Sequence, residues 1–150
     1  MTTYLINHLR IPGGLPREEG LSYLERVEST VERYGGKWLA MGEVQVLEGA
    51  WPGSVVLMEF PSHAAAEAWY RSPEYQEILP LRTRTAISDL ILVDEVGRGF
   101  TVAGLASQLR GKVVGLRDQY QGVMDGLDGL PDGRVSGEVY DERQGRAAAQ

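Results

Sequence analysis

The pattern of apolar and polar positions predicts a strand at the start of the chain and a helix after it. Residues 4–11 (YLINHLRI) alternate between two faces, as a half-buried strand does. One face carries Leu5, Asn7, Leu9 and Ile11, and the other carries Tyr4, Ile6, His8 and Arg10. After a Pro-Gly-Gly break, apolar residues recur at steps of three and four from Leu21 to Tyr34, which predicts a helix that ends at Gly35-Gly36.

The segment up to Val96 predicts three more strands and a helix in two pieces. The predicted ranges are 37–49, 54–60, 64–71, 73–79 and 85–96. Ser62 and Ser72 are good helix caps, and Pro80 is expected to end the second piece. The order βαββαβ predicts an α+β, ferredoxin-like fold with a four-stranded antiparallel sheet and both helical layers on one face. Because the other face would be apolar and bare, we expect a homodimer, with residues 1–97 as its domain.

Residues 98–150 form a glycine-rich extension with a weaker pattern. Its apolar residues at helical spacing are Leu105, Leu109, Val113, Leu116, Tyr120, Val123 and Leu127. This stripe predicts an amphipathic helix that docks on the domain or on a dimer mate, although interior glycines weaken helices. The alternative is a largely disordered tail, and we expect disorder beyond Asp132 in either case.

Composition and charge narrow the classes of function. The 150 residues carry a net charge of −6, which argues against nucleic-acid partners and against an anionic membrane. The chain has no cysteine and two distant histidines, so no metal site is predicted. We find no glycine-rich nucleotide loop and predict no cofactor. The first residues lack a signal-peptide pattern, which predicts a cytoplasmic protein.

Several stretches together resemble a known family. YGGKWLAMGEVQVLEGAW, VVLMEFPS, AWYRSPEYQEILPLR and SDLILVDEV occur in this order between residues 34 and 96. The sequence from Tyr4 to Val96 is similar to the domain of unknown function 1330 family. The resemblance implies a dimeric α/β barrel, in which two ferredoxin-like units pack their sheets face to face. The superfamily of such barrels includes monooxygenases, isomerases, lyases and decarboxylating dehalogenases. One departure is INHLRIPGG, where family members often carry acidic residues.

Three residues are candidates for catalysis. Glu59 ends an apolar strand, and an unpaired buried carboxylate is costly, so Arg82 is its expected partner. The pair suits a general acid–base whose arginine orients it or binds an anionic substrate, or a structural ion pair. His8 is expected to point into the barrel, where it would transfer protons or bond a neighbour at the dimer interface.

Six further residues are candidates for substrate binding. They are Glu48, Trp51, Trp69, Tyr70, Tyr75 and Arg10. Trp69 suits the core, whereas Tyr70 and Tyr75 have polar tips that would reach a pocket. Glu48 and Trp51 would form a pocket rim, unless Trp51 only shields the sheet edge. Arg10 is an alternative to Arg82 for binding an anionic group.

Two functions agree with these residues. The first is a cofactor-independent isomerase, cyclase or lyase that acts on a small carbonyl-bearing or aromatic metabolite, or a cofactor-free monooxygenase of a phenolic one. Tyr70 or Tyr75 would donate to an oxyanion, and replacing Glu59 by Gln would abolish turnover. The second is a non-enzymatic dimer that binds a ligand or a partner protein through residues 98–150.

Overall fold

Four strands and three helices lie between Thr3 and Asp94 in the computed structural model, which describes residues 1–128. The elements are β1 (Thr3–Arg10), α1 (Glu18–Glu32), β2 (Lys37–Glu43), β3 (Ser54–Phe60), α2 (His63–Arg71), α3 (Pro73–Thr83) and β4 (Ile87–Asp94). The strands form one sheet in the order β2-β3-β1-β4, and all neighbours are antiparallel. The predicted ferredoxin-like α+β fold is therefore confirmed.

The hydrophobic core lies between the helices and one face of the sheet. Its largest fully buried side chains are Trp69, Tyr75, Phe60, Ile78 and Val31. On β3, Val56, Met58 and Phe60 are buried while the residues between them are not, as the period of two requires. The same alternation on β1 and β4 separates a helix-covered face of the sheet from a bare face.

The bare face carries a band of apolar side chains across the three strands β3, β1 and β4. Ile6 lies opposite Leu57 on one side and Ile91 on the other. Ile91 has 56% of its surface exposed and Val93 has 45%. Exposed apolar residues grouped in this way are typical of an interaction surface.

Helix α3 is longer than the pattern predicts, because it passes through Pro80 instead of ending before it. A proline inside a helix removes one backbone hydrogen bond, so other contacts must maintain the helix. Ile78 before the proline and Arg82 after it are both buried, and these contacts hold the two halves in line. The predicted end at residue 79 is therefore wrong, and the difference matters for the position of Arg82.

A second unit begins at Phe100. It contains α4 (Val102–Asp128), a helix whose first turn is capped by the Thr101 hydroxyl, which accepts from the Gly104 amide at 2.9 Å. The predicted disorder beyond Asp132 concerns residues outside the described range.

Candidate functional site

A cavity of about 340 Å³ lies between the sheet and helices α1 and α3. Most of its wall is apolar and includes Leu5, Leu9, Val27, Val56 and Met58. The polar side chains on the wall are Asn7, Tyr23, Ser54, Tyr75, Arg82 and Thr85. A cavity of this size with a few convergent polar groups is typical of a small-molecule site.

Helix α3 positions two of these polar side chains, Tyr75 near its start and Arg82 near its end. The Ser72 hydroxyl accepts a hydrogen bond from the Tyr75 amide at 3.3 Å and thereby caps the helix. Tyr75 and Arg82 are seven residues apart, which is about two helical turns, so they lie on the same side of α3. Arg82 would lose this alignment if the helix ended before Pro80.

Tyr23, Tyr75 and Arg82 form a hydrogen-bonded cluster at the wall of the cavity. Arg82 Nη2 donates to the Tyr75 hydroxyl at 3.3 Å, and the two tyrosine hydroxyls lie 3.0 Å apart. The guanidinium carbon also lies 5.8 Å from the centre of the Tyr23 ring, close enough for a cation–π contact. The cluster therefore joins a cation to two weak acids in an apolar setting.

Arg82 is a buried cation for which the described residues supply no carboxylate partner. Only 7% of its surface is exposed, and its Nε has no hydrogen-bond partner in the described part of the chain. Burial lowers the pKa of Arg82, but the interaction with Tyr75 and Tyr23 outweighs burial and the net pKa is raised. Arg82 therefore stays charged, and a buried charge of this kind favours an anion beside it.

Tyr23 stays protonated at neutral and moderately alkaline pH. Burial is the main cause that raises its pKa above the ordinary value of 10.0, and the neighbouring Tyr75 raises it further, against a smaller opposite effect of Arg82. Tyr23 is therefore a hydrogen-bond donor in this cavity, not a base.

The raised pKa of Tyr23 predicts a loss of stability in alkali. Below the unfolded-state pKa near 10.0, Tyr23 holds its proton in both the folded and the unfolded state, so it contributes no pH dependence to the free energy of unfolding. Above it the unfolded state releases the proton first, and the free energy of unfolding falls by about 1.4 kcal/mol per pH unit for this residue. Replacing Tyr23 by Phe should flatten that fall in urea unfolding curves measured across this range. An unchanged slope in the variant would contradict the assignment, and Tyr34→Phe serves as the control.

Asn7 supplies the cavity with an unused acceptor. It is 6% exposed, and its Oδ1 has no hydrogen-bond partner among the described residues. Asn7 lies on the helix-covered face of β1 between Leu5 and Leu9. An acceptor without a partner at a buried site costs free energy unless a ligand donor satisfies it.

Glu59, His8 and Arg10 lie on the bare face of the sheet, away from the cavity. Glu59 is between buried Met58 and Phe60 and pairs in register with Tyr4 and Lys37. The sheet therefore separates Glu59 from Arg82. Their expected pairing is wrong, because strand alternation and helix packing direct the two side chains to opposite sides.

His8 and Arg10 have partners of their own on the bare face. His8 stacks on Trp51 with ring centres 4.2 Å apart, and its Nε2 donates to the Pro52 carbonyl. Arg10 forms an ion pair with Asp89 on β4. Gly53, at φ +97, allows the 51–53 turn to approach β1, since a Cβ there would lie 2.2 Å from the Leu9 carbonyl oxygen.

The remaining candidates are divided between the core and the surface. Trp69 is 2% exposed, lines the cavity, and donates through Nε1 to the Thr30 hydroxyl at 3.0 Å. Tyr70 is 39% exposed and lines a separate groove beside β4. Glu48 is exposed in the loop before Trp51. The structure thus brings Trp69, Tyr75 and Arg82 together, and it places the other six elsewhere.

Tyr23 and Asn7 line the cavity but are not among the candidates predicted from the sequence. The position of each in the apolar pattern could have identified it. Asn7 is the polar residue on the apolar face of β1, and Tyr23 lies one helical turn before Val27 on α1. A polar group on a face destined for the core needs a partner, which makes such positions candidates for binding.

Within 1–128, no group of three or more His, Cys, Asp or Glu side chains is arranged to bind a metal ion. No helix in this range is both long and apolar enough to cross a membrane.

The fold and the cavity define a ferredoxin-like α+β protein with an apolar chamber that ends at a buried cation. The chain belongs to the family of the domain of unknown function DUF1330, whose model matches residues 2–96. The resemblance seen in the sequence is thereby confirmed. No curated protein matches the sequence.

Solved structures share this fold. A protein of unknown function from Rhodopseudomonas palustris is 24% identical, with a TM-score of 0.53 over 64% of this chain and 83% of that one. Its methylated form is 27% identical, with a TM-score of 0.50 over 66% of this chain and 84% of that one. SnoaB, a cofactor-independent oxygenase from Streptomyces nogalater, is 14% identical, with a TM-score of 0.45 over 67% and 97%.

Proposed function

We propose that the protein is an enzyme that binds a small, anionic, carbonyl-bearing or aromatic metabolite in the cavity and works without a cofactor. One observation carries the proposal: a buried guanidinium without a carboxylate partner in the described residues lines an apolar chamber beside two tyrosine hydroxyls. A purely structural arginine at such a position would be expected to have its charge compensated.

Four polar side chains of the cavity have defined roles in this proposal. Arg82 Nε donates to an anionic oxygen of the substrate, a carboxylate, an enolate or a phenolate. Because Arg82 donates to Tyr75, the Tyr75 proton is directed to Tyr23, and the Tyr23 hydroxyl is left to donate to the substrate. Asn7 Oδ1 accepts from a hydroxyl or amide of the same ligand. The apolar wall holds the hydrocarbon part.

The cavity wall provides donors and a cation but, among the described residues, no carboxylate and no imidazole. An acidic substrate, such as an enol or a phenol, fits this set because it needs only stabilisation of its anion. Tyr23 would keep its proton and donate a hydrogen bond to the substrate oxygen while negative charge develops on it, which stabilises the anion formed in isomerisation, cyclisation or elimination.

The same observation favours a second candidate, cofactor-free oxygenation. An enolate or phenolate stabilised by Arg82 is electron-rich, and such anions react with dioxygen directly. The substrate would supply all the electrons: an activated CH₂ becomes C=O, and the second oxygen atom leaves as water. Oxygen consumption during turnover separates this candidate from isomerisation, cyclisation and elimination, which consume none.

We further propose that two copies pair through the bare face to form a barrel. The apolar band around Ile6, Leu57 and Ile91 supports this arrangement, because two such bands would cover each other. The cavity lies on the helix-covered side of each sheet, so each copy keeps its own site.

The proposal is tested by binding of matched small molecules. Aromatic and enolic carboxylic acids are compared with their neutral amides in thermal unfolding, where a ligand at about 100 times its Kd stabilises by about 2.7 kcal/mol. We expect the acids to raise the Tm and the amides to have little effect. Equal shifts for both sets would contradict an anion site. Acids that bind and are recovered unchanged, with and without dioxygen, would favour the ligand-binding module instead.

Replacing Glu59 by Gln should leave acid binding and turnover nearly unchanged. Glu59 lies across the sheet from the cavity, so its charge does not contact the substrate proposed for that site. The check is a comparison of kcat and KM for Glu59→Gln and the unaltered protein, with dimer mass measured alongside. A loss of kcat with an intact dimer would return Glu59 to the catalytic role that the sequence suggests, and would move the reaction to the bare face.

A further inference from the structure

The sequence of α4 contains an eleven-residue repeat. The segments GLASQLRGKVV and GLRDQYQGVMD occupy residues 104–114 and 115–125, and a third Gly-Leu follows at Gly126. The second, sixth and tenth positions of each repeat are apolar, namely Leu105, Leu109, Val113, Leu116, Tyr120 and Met124. Since eleven residues make three helical turns to within about 20°, these positions form one nearly straight stripe.

The stripe is unpartnered and about 100° wide. Leu109, Val113, Leu116 and Tyr120 are all exposed, and within 100–128 no second element covers them. Three apolar positions in eleven are about as dense as the two in seven of a coiled-coil seam, so the spacing alone would also suit a partner helix. The charges beside the stripe decide between the possible occupants.

The charged residues of α4 are arranged about the stripe. At 100° per residue, Arg110 and Arg117 lie along one edge of the stripe, and Lys112 lies along the other. Asp118 and Asp125 lie on the far side of the helix. Cations next to an apolar stripe extend their aliphatic stems over it and keep their charged ends at its border.

The glycines share that far side of the helix. Gly104, Gly111, Gly115 and Gly122 all lie opposite the stripe, where they do not bring another backbone closer to the apolar face. Their effect is to weaken the helix in water, by about 0.5–1 kcal/mol each relative to alanine. Such a helix gains most from a surface that covers its whole apolar stripe.

The edge charges also oppose pairing of two copies of α4. In a parallel pair, Lys112 of one helix approaches the arginine edge of the other. In an antiparallel pair, the arginine edges meet each other. Either orientation places like charges together, which disfavours the pairing. An occupant with negative charge at its border and hydrocarbon beneath it fits both features of the helix.

We propose that α4 binds the surface of a phospholipid bilayer that contains anionic lipids. The apolar stripe lies among the acyl chains near the headgroups, Arg110, Lys112 and Arg117 contact lipid phosphates, and the Asp and Gly side faces water. The net charge of the chain predicts no membrane partner, but the helix places Arg110, Lys112 and Arg117 beside the stripe, with Asp118 and Asp125 on the opposite side. This inference is independent of the enzymatic proposal, since it uses residues 102–126 alone.

Vesicle flotation of the full-length protein tests the inference. We expect the protein to float with vesicles of phosphatidylcholine and phosphatidylglycerol in equal amounts, and much less with phosphatidylcholine alone. Replacing Leu109 and Leu116 by Asp should lower the bound fraction about tenfold or more, because charges would enter the acyl region. Replacing Ser107 and Gln108 by Asp adds the same charge on the other side of the helix and should retain most of the binding.

A second variant separates the charge requirement from the apolar one. Replacing Arg110 and Arg117 by Glu leaves the stripe intact and should abolish the preference for phosphatidylglycerol. The inference is overturned if the unaltered protein floats with neither kind of vesicle. It is equally overturned if the variant with Asp at positions 109 and 116 floats as well as the unaltered protein. It is also overturned if those substitutions reduce the mass of an oligomer while no vesicle binding occurs, since a second copy would then be the occupant.

Discussion

Replacing Arg82 by Met should abolish binding of anionic ligands to the cavity while the protein remains folded. Methionine fills a similar volume without a charge, and exchanging a buried charged group for an apolar one is often neutral or stabilising. Tyr75 keeps Tyr23 as a hydrogen-bond partner in the variant. We expect the Kd for an acid that binds the unaltered protein to rise about a hundredfold or more in calorimetric titrations. Turnover should fall with it.

Two matched variants show whether the effect belongs to this site. Arg10→Met also removes an arginine, but one that is paired with Asp89 on the bare face, and it should leave ligand affinity unchanged. Arg82→Lys keeps the charge and loses the planar donor group, so partial binding is expected. If Arg10→Met weakens the ligand and Arg82→Met does not, the anion site lies on the bare face and the cavity assignment fails.

Replacing Ile91 by Asp should convert the proposed dimer to a monomer. Ile91 is more than half exposed in the single chain, so a carboxylate there costs the folded monomer little. In the proposed barrel it would be buried against the partner's sheet, where an unpaired charge is strongly unfavourable. We expect the dissociation constant to rise about a thousandfold, measured by sedimentation equilibrium.

The control for this substitution is Leu21→Asp on α1. Leu21 is also exposed, at 41%, but it lies on the helical layer, so its replacement should leave the dimer intact. An Ile91→Asp variant that keeps the dimer mass would show that the bare face is not the interface. If both variants are monomers, dimerisation depends on a different surface and the barrel arrangement is contradicted.

The sequence predicts the fold well because each element has a strong local signal. Strand alternation on β1, the apolar run of β3 and the caps at Ser62 and Ser72 were all sufficient to predict their elements. One error is the strand predicted over 37–49, which ends at Glu43. Another concerns α3, where Pro80 is a strong local signal for a helix end. Packing of Ile78 and Arg82 on either side outweighs it.

The candidate site was predicted only in part. Tyr75 and Arg82 were among the predicted site residues. Arg82 was predicted to pair with Glu59, because Arg82 and Glu59 belong to one motif and carry opposite charges. Closeness in sequence did not imply closeness in space, because Glu59 belongs to the side of β3 that the helices do not cover. His8 and Arg10 were predicted to share one face of β1, and the structure places both on the bare face. The catalytic role of His8 and the anion-binding role of Arg10 remain predictions.

The sequence by itself determined which residues share a face, because the periods of strand and helix are fixed by backbone geometry. It thus determined the layer order of the domain, the apolar bare face and the amphipathic character of α4. Only the tertiary structure decided which polar groups meet. The contact of Tyr23 with Tyr75 joins α1 to α3 across 52 residues, and the space below them is set by how the two helices pack on the sheet. No local sequence pattern encodes a contact between residues so far apart in the chain, so the proposed anion site at Arg82 could be inferred only from the folded chain.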